Sequence, residues 1–231
     1  MSYNQCWLNY HKVHNYEDAD LLTTLYLYQD DSYTKGAIVR NAVEELCVAL
    51  KNMLGIHLKL EEEFGNQNKD VLKNSIILGC SSHETFQKFD GIDNLSEEGY
   101  LLHQIDTNLY ILGKTETGLL YGVFELIRRI ALGNRILGLH LIENPANHFR
   151  MLNHWDNLDG SIERGYAGAS FFFEKEEIIV DQRTRDYARI VASVGINAVV
   201  INNVNVRGRA ASGLITERYL EKLAQMAEIF S

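Results

Sequence analysis

Two stretches of the chain carry apolar residues at spacings of three and four, and each sits among short runs suited to strands. In the first, about Thr34 to Leu54, Val39, Val43, Leu46, Leu50 and Met53 share one face, and Gly55 stops the run. In the second, about Glu116 to Leu132, the stripe is Leu120, Val123, Phe124, Ile127 and Ile130. Thr115 is placed to cap its start, and Gly133 follows its last turn. Strand patterns occur at Asp20–Tyr28, Ile56–Glu62, Ser75–Leu78, Tyr100–Ile105 and Leu109–Leu112. Strands and helices interleaved in this way predict an α/β layer with two helices packed on a sheet.

The only proline, Pro145, lies between Asn144 and Asn147 and marks a domain junction, giving domains 1–147 and 148–231. Beyond it Phe149–His154 reads as a strand that opens into the polar loop WDNLDGSIERGYAG. A helix Gln182–Val194 follows, with Asp181 as N-cap and Gly195 after its end. Asn197–Ile201 then reads as a strand of the kind buried on both faces, and Thr216 caps a last helix from Glu217. Two strand–loop–helix units in succession predict the first two βα units of an incomplete (β/α)₈ TIM barrel. Two parallel strands cannot close a barrel, so the chain reads as a fragment or as the remnant of a disrupted gene.

Composition narrows the function classes. The 231 residues are 46% hydrophobic and 23% charged, ordinary globular usage, with a formal net charge of -9. That acidic balance argues against nucleic acid or anionic membrane as a partner. Cys6, Cys47 and Cys80 are widely spaced and odd in number, which suggests neither a zinc site nor a disulfide framework. With no signal-peptide pattern and no long apolar run, the expected location is cytoplasmic.

His11 and His14 have a spacing some metal sites use, but they lack acidic or cysteine partners, so no metal is assigned. No phosphate-cradling glycine loop occurs. In the loop after Phe149–His154, Asp159 reads as an Asx-turn residue and Glu163–Arg164 as an ion pair that holds the loop.

The stretch RMLNHWDNLDGSIERGYAGASFF (Arg150–Phe172) resembles the opening of the catalytic barrel in α-glucuronidases of glycoside hydrolase family 67. TGLLYGVFELIRR, RDYARIVASVGINAVVINNVN and CWLNY resemble further blocks of the same family, in its order. The resemblance implies an accessory α/β domain before the barrel. It also implies an inverting xylan α-1,2-glucuronosidase that releases 4-O-methyl-glucuronic acid from glucuronic-acid-substituted xylo-oligosaccharides, with no metal or organic cofactor. For the full-length protein it leaves a homodimer open.

Inversion needs two carboxyl groups, roughly 6.5–9.5 Å apart. By the resemblance these come from later barrel strands, so no catalytic residue is assigned and the fragment alone is expected to be inactive. A non-catalytic accessory or glycan-binding module is the alternative. The expected substrate contacts are Trp155, Asp156, Asn157, Glu163 and Arg164 after the first barrel strand, and Asn202, Asn203 and Asn205 after the second. Trp155 suits a sugar ring, the asparagines suit hydroxyls, and Arg164 suits the uronic carboxylate. Alternation forbids Asn202 and Asn203 from pointing the same way if the strand continues.

Overall fold

A computed structural model describes residues 7–28, 36–61, 72–201 and 216–231. They divide into two units: Asn9–Ala146, and Asn147–Ser231 together with Trp7 and Leu8.

The first unit is built on six strands. They are β1 (Thr24–Leu27), β2 (Lys59–Glu61), β3 (Ser75–Cys80), β4 (Tyr100–Ile105), β5 (Asn108–Gly113) and β6 (His140–Glu143), in the order β2-β1-β3-β5-β4-β6. The first four in that order run parallel, while β4 is antiparallel to both its neighbours. Helix α1 (Ala37–Leu54) packs against α2 (Glu116–Ala131), and α2 lies on β5 and β4.

Strand alternation sorts the core into two layers. Ile77, Leu101 and Leu112 point to one face, where Phe86, Ile92 and Leu95 from two short 3-10 turns and the loop after them cover them. Leu102 and Ile111 point to the other, under Gly122 of α2. Because α2 is enclosed by sheet and helix, Leu119, Tyr121 and Leu126 are buried as well as the expected stripe, and Leu120 is only half-buried.

The caps follow local chemistry. Thr115 accepts a hydrogen bond from the backbone N–H of Gly118. Gly55 takes the left-handed conformation that ends α1, with φ 73°. The expected strand Asp20–Tyr28 is shortened to β1, because Ala19–Leu21 forms a 3-10 turn behind the buried Asp18.

In the second unit β7 (Met151–Asn153) pairs parallel with β10 (Ala198–Val200), and α3 (Gln182–Ser193) connects them. Asp181 caps α3 in a capping box completed by Thr184. Between β7 and α3 lies the short hairpin β8 (Phe173–Glu174) with β9 (Glu177–Ile178). The last helix, α4 (Glu217–Phe230), packs on α3 and β9; Thr216 holds its N-cap position without a side-chain capping bond.

Phe172, Phe173, Ile178, Tyr219 and Met226 form this unit's core. Burial of the second strand on both faces, expected from its apolar run, is not found. Its residues are half-buried and those of β7 exposed, because the sheet has two strands. Among the described residues no helix is long and apolar enough to cross a membrane.

Candidate functional site

The segment from His154 to Ser170 leaves the C-terminal end of β7 and is folded on itself. Isolated bridges join Asp156 to Ile162 and Ser161 to Ala169. The backbone N–H of Glu163 donates to the Trp155 carbonyl at 2.8 Å, and that of Ser170 to the Gly160 carbonyl at 2.8 Å. Gly160, Gly165 and Gly168 have φ of 89°, 95° and 122°, where a side chain would be strained.

Asp156 anchors both ends of this loop. It is 2% exposed, and its Oδ2 accepts from the Ser170 hydroxyl, from the Phe171 N–H at 2.7 Å and from the Phe172 N–H at 3.4 Å. Burial pushes its carboxyl up. The bonds from His154, Ser170, Phe171 and Phe172 outweigh burial and hold it below the ordinary carboxylate range. His154 presents Nδ1 to Asp156 Oδ1 at 3.6 Å and Nε2 to the Tyr187 hydroxyl at 2.6 Å. Burial, then the Asp156 charge, raises the Tyr187 phenol.

The other acids of the loop are committed too. Asp159 Oδ1 accepts from the Ser161 N–H at 2.9 Å and the Ser161 hydroxyl at 2.6 Å, an Asx-turn that lowers its pKa. Glu163 sits at φ 56° and accepts from the Tyr166 hydroxyl at 2.8 Å. The expected Glu163–Arg164 ion pair is therefore replaced: the left-handed turn sends the carboxylate to Tyr166 and leaves Arg164 exposed.

Among the expected contacts, Trp155 is 40% exposed and Arg164 exposed. Asp156 and Asn157 are buried instead, and their polar groups face inward. Asn157 Nδ2 donates to the Ser161 hydroxyl at 2.9 Å and the Glu163 carbonyl at 2.8 Å. Nothing in the local sequence marks these inward partners. His154 and Tyr187 lie 33 positions apart, with no local signal to pair them. Asn202, Asn203 and Asn205 lie outside the described residues. No group of three or more His, Cys, Asp or Glu able to hold a metal occurs among the described residues.

The fold is shared with carbohydrate-acting enzymes. A GH138 enzyme targeting pectin rhamnogalacturonan II aligns over 90% of this chain and 23% of its own, with TM-score 0.57 and 15% identity. A family GH115 4-O-methyl-α-glucuronidase with specificity for decorated arabinogalactans aligns over 77% of this chain and 25% of its own, with TM-score 0.53 and 15% identity. At that identity the likeness is one of fold alone.

Sequence models place the chain more narrowly. The N-terminus of glycosyl hydrolase family 67 matches residues 6–126 and the middle domain of that family matches residues 129–231. The chain belongs to glycosyl hydrolase family 67. It is 36% identical over 199 residues to a probable alpha-glucuronidase A of Aspergillus terreus, covering 85% of this chain and 23% of that protein. It is also 36% identical over 208 residues to an alpha-glucuronidase of Hypocrea jecorina, covering 85% and 24%. It thus spans about a quarter of the length of these curated relatives.

Proposed function

We propose that this chain is the front part of an α-glucuronidase, an inverting xylan α-1,2-glucuronosidase acting on glucuronic-acid-substituted xylo-oligosaccharides. Asn9–Ala146 serves as its accessory domain, and β7, α3, β10 and α4 are the first two βα units of its (β/α)₈ barrel. Family membership supports the activity. The parallel β7–β10 ladder joined through α3 supports the barrel reading, since parallel neighbours need such a crossover.

Trp155 and Arg164 meet the substrate in this reading; Asn202, Asn203 and Asn205, expected from the sequence to join them, lie outside the described residues. Asp156, Asn157 and Glu163 act indirectly, by shaping the loop that carries Trp155. The commitment of the loop acids carries the mechanistic conclusion. Asp156 is buried on the Ser170, Phe171 and Phe172 donors, and one oxygen each of Asp159 and Glu163 accepts from Ser161 and Tyr166, which supports loop-holding roles for all three over the acid or base of an inverting pair. Acid and base belong to the part of the enzyme that this chain does not cover.

The experiment is release of glucuronic acid from aldouronic oligosaccharides by purified Met1–Ser231 and by the protein extended through the remaining barrel. The extended protein should turn over and the 231-residue chain should not. Turnover by the short chain above a buffer blank, surviving repurification, would refute this placement of the acids.

A further inference from the structure

An exposed indole has little packing of its own to fix its direction. Trp155, at 40% exposure, is only partly packed, and its two neighbours in sequence are more buried. The His154 and Asp156 side chains are 24% and 3% exposed, both turned inward. The backbone that carries the indole is held on both sides, by the His154 contact to Tyr187 and by the Asp156 bonds to Phe171 and Phe172. Whatever holds His154 and Asp156 therefore aims Trp155.

Two separate attachments hold them. The Asp156 carboxylate is tied across the loop to Ser170, Phe171 and Phe172, so the loop's two ends cannot part without exposing a buried charge. The His154 ring stands edge-on to Phe172 at 4.9 Å and reaches the Tyr187 hydroxyl on α3. A carboxylate beside Nδ1 favours the proton there, so in the neutral ring Nε2 accepts from Tyr187. Tyr187 is itself seated against Phe171 at 4.9 Å, Phe172 at 5.8 Å and Phe230 of α4 at 6.2 Å. The chain of contacts thus runs from the helices to the loop, through one phenol and one imidazole.

We propose that Asp156, His154 and Tyr187 are positioning residues that set the attitude of the Trp155 indole, with the hydroxyl of Tyr187 coupling it to α3. The value of this for sugar binding rests on the reading that Trp155 meets the substrate, but the positioning itself can be tested without sugar.

The sequence contains two tryptophans, Trp7 and Trp155, so Trp7→Phe makes Trp155 the sole indole. In that background Tyr187→Phe keeps the aromatic packing and removes only the hydroxyl. Released loop should become roughly fivefold more populated, the ratio expected for loss of one ordinary hydrogen bond. Acrylamide quenching of Trp155 should rise and its fluorescence anisotropy fall, well below the melting temperature. Asp156→Asn should move both signals further in the same direction. A purely structural role would lower the melting temperature and leave the indole of the folded protein unchanged. If Asp156→Asn does not fold, Tyr187→Phe decides alone. Unchanged quenching and anisotropy in a folded Tyr187→Phe variant would overturn the proposal. Should Trp155 prove not to contact sugar, the quenching result would stand, so the two failures are distinguishable.

Discussion

The carboxylate of Asp18 accepts from Arg135 Nε at 2.9 and 3.0 Å across 117 residues of sequence, and one of its oxygens also takes the backbone N–H groups of Ile136 and Leu137. The pair joins the entry to β1 to the segment between α2 and β6. Asp18 is 4% exposed, so its removal strands donors that water cannot fully reach.

Asp18→Ala should therefore destabilise the first unit by about 1–3 kcal/mol, the usual cost of leaving buried groups unpaired. Burial alone would raise this carboxyl; the bonds from Arg135, Leu137 and Ile136 outweigh it and lower the folded value. A depressed folded pKa means stability present above the unfolded value, about 3.9, and lost as pH falls through the folded one. Urea melts should show the gap between wild type and variant at pH 7 narrowing below about pH 4. A gap that does not change with pH would separate the stability from the charge.

Gly122 lies where α2 crosses the sheet. A Cβ there would stand 2.8 Å from Ile111 Cγ2 and 3.3 Å from Tyr100 Cβ. In an exposed helix Gly→Ala gains up to about 1 kcal/mol, while overpacking a core costs about 1–3 kcal/mol. Ile111 is β-branched and on a central strand, so it yields little. Gly122→Ala should accordingly lower the melting temperature, and Gly122→Val lower it further. A rise for the alanine variant would mean that the sheet gives way at Ile111.

The third prediction follows from the proposed reading and concerns Trp155→Ala in the protein extended through the remaining barrel. If the indole forms a wall of the sugar pocket, kcat/KM should drop about 5- to 150-fold, the equivalent of about 1–3 kcal/mol of transition-state binding. An indole already 40% exposed should cost far less stability than the roughly 3–5 kcal/mol of an emptied core site. Steady-state kinetics and a melting curve on one preparation decide it. Near-normal kcat/KM with a large fall in melting temperature would make Trp155 a packing residue.

What could be read from the residues was what depends on near neighbours. β4 matches its expected limits, Thr115 and Asp181 cap as their positions suggested, and α1 ends at the glycine that stopped its pattern. The strand β6 was missed because His140–Glu143 has no apolar alternation; its place comes from pairing with β4, some 40 residues earlier. The same limit applied at the candidate site. Nothing near Asp156 shows that its donors lie 14 to 16 residues on, or that the imidazole beside it meets a phenol on a helix. A carboxylate that closes a loop and one that contacts a sugar look alike in a string of letters.

The late position of β6 also bears on how the first unit is made. Strands β1 to β5 and both helices have been synthesised before His140–Glu143 arrives to pair with Tyr100–His103. Until then β4 is an edge, with one row of backbone N–H and C=O groups open to any passing strand. Domains fold as they are made, at about 5–20 residues per second, so the exposed interval is short when translation is steady. A pause that leaves β1 to β5 outside the ribosome while His140–Glu143 is still inside it would hold that edge open, and the nascent chain would be at its stickiest then, one strand short of its full sheet.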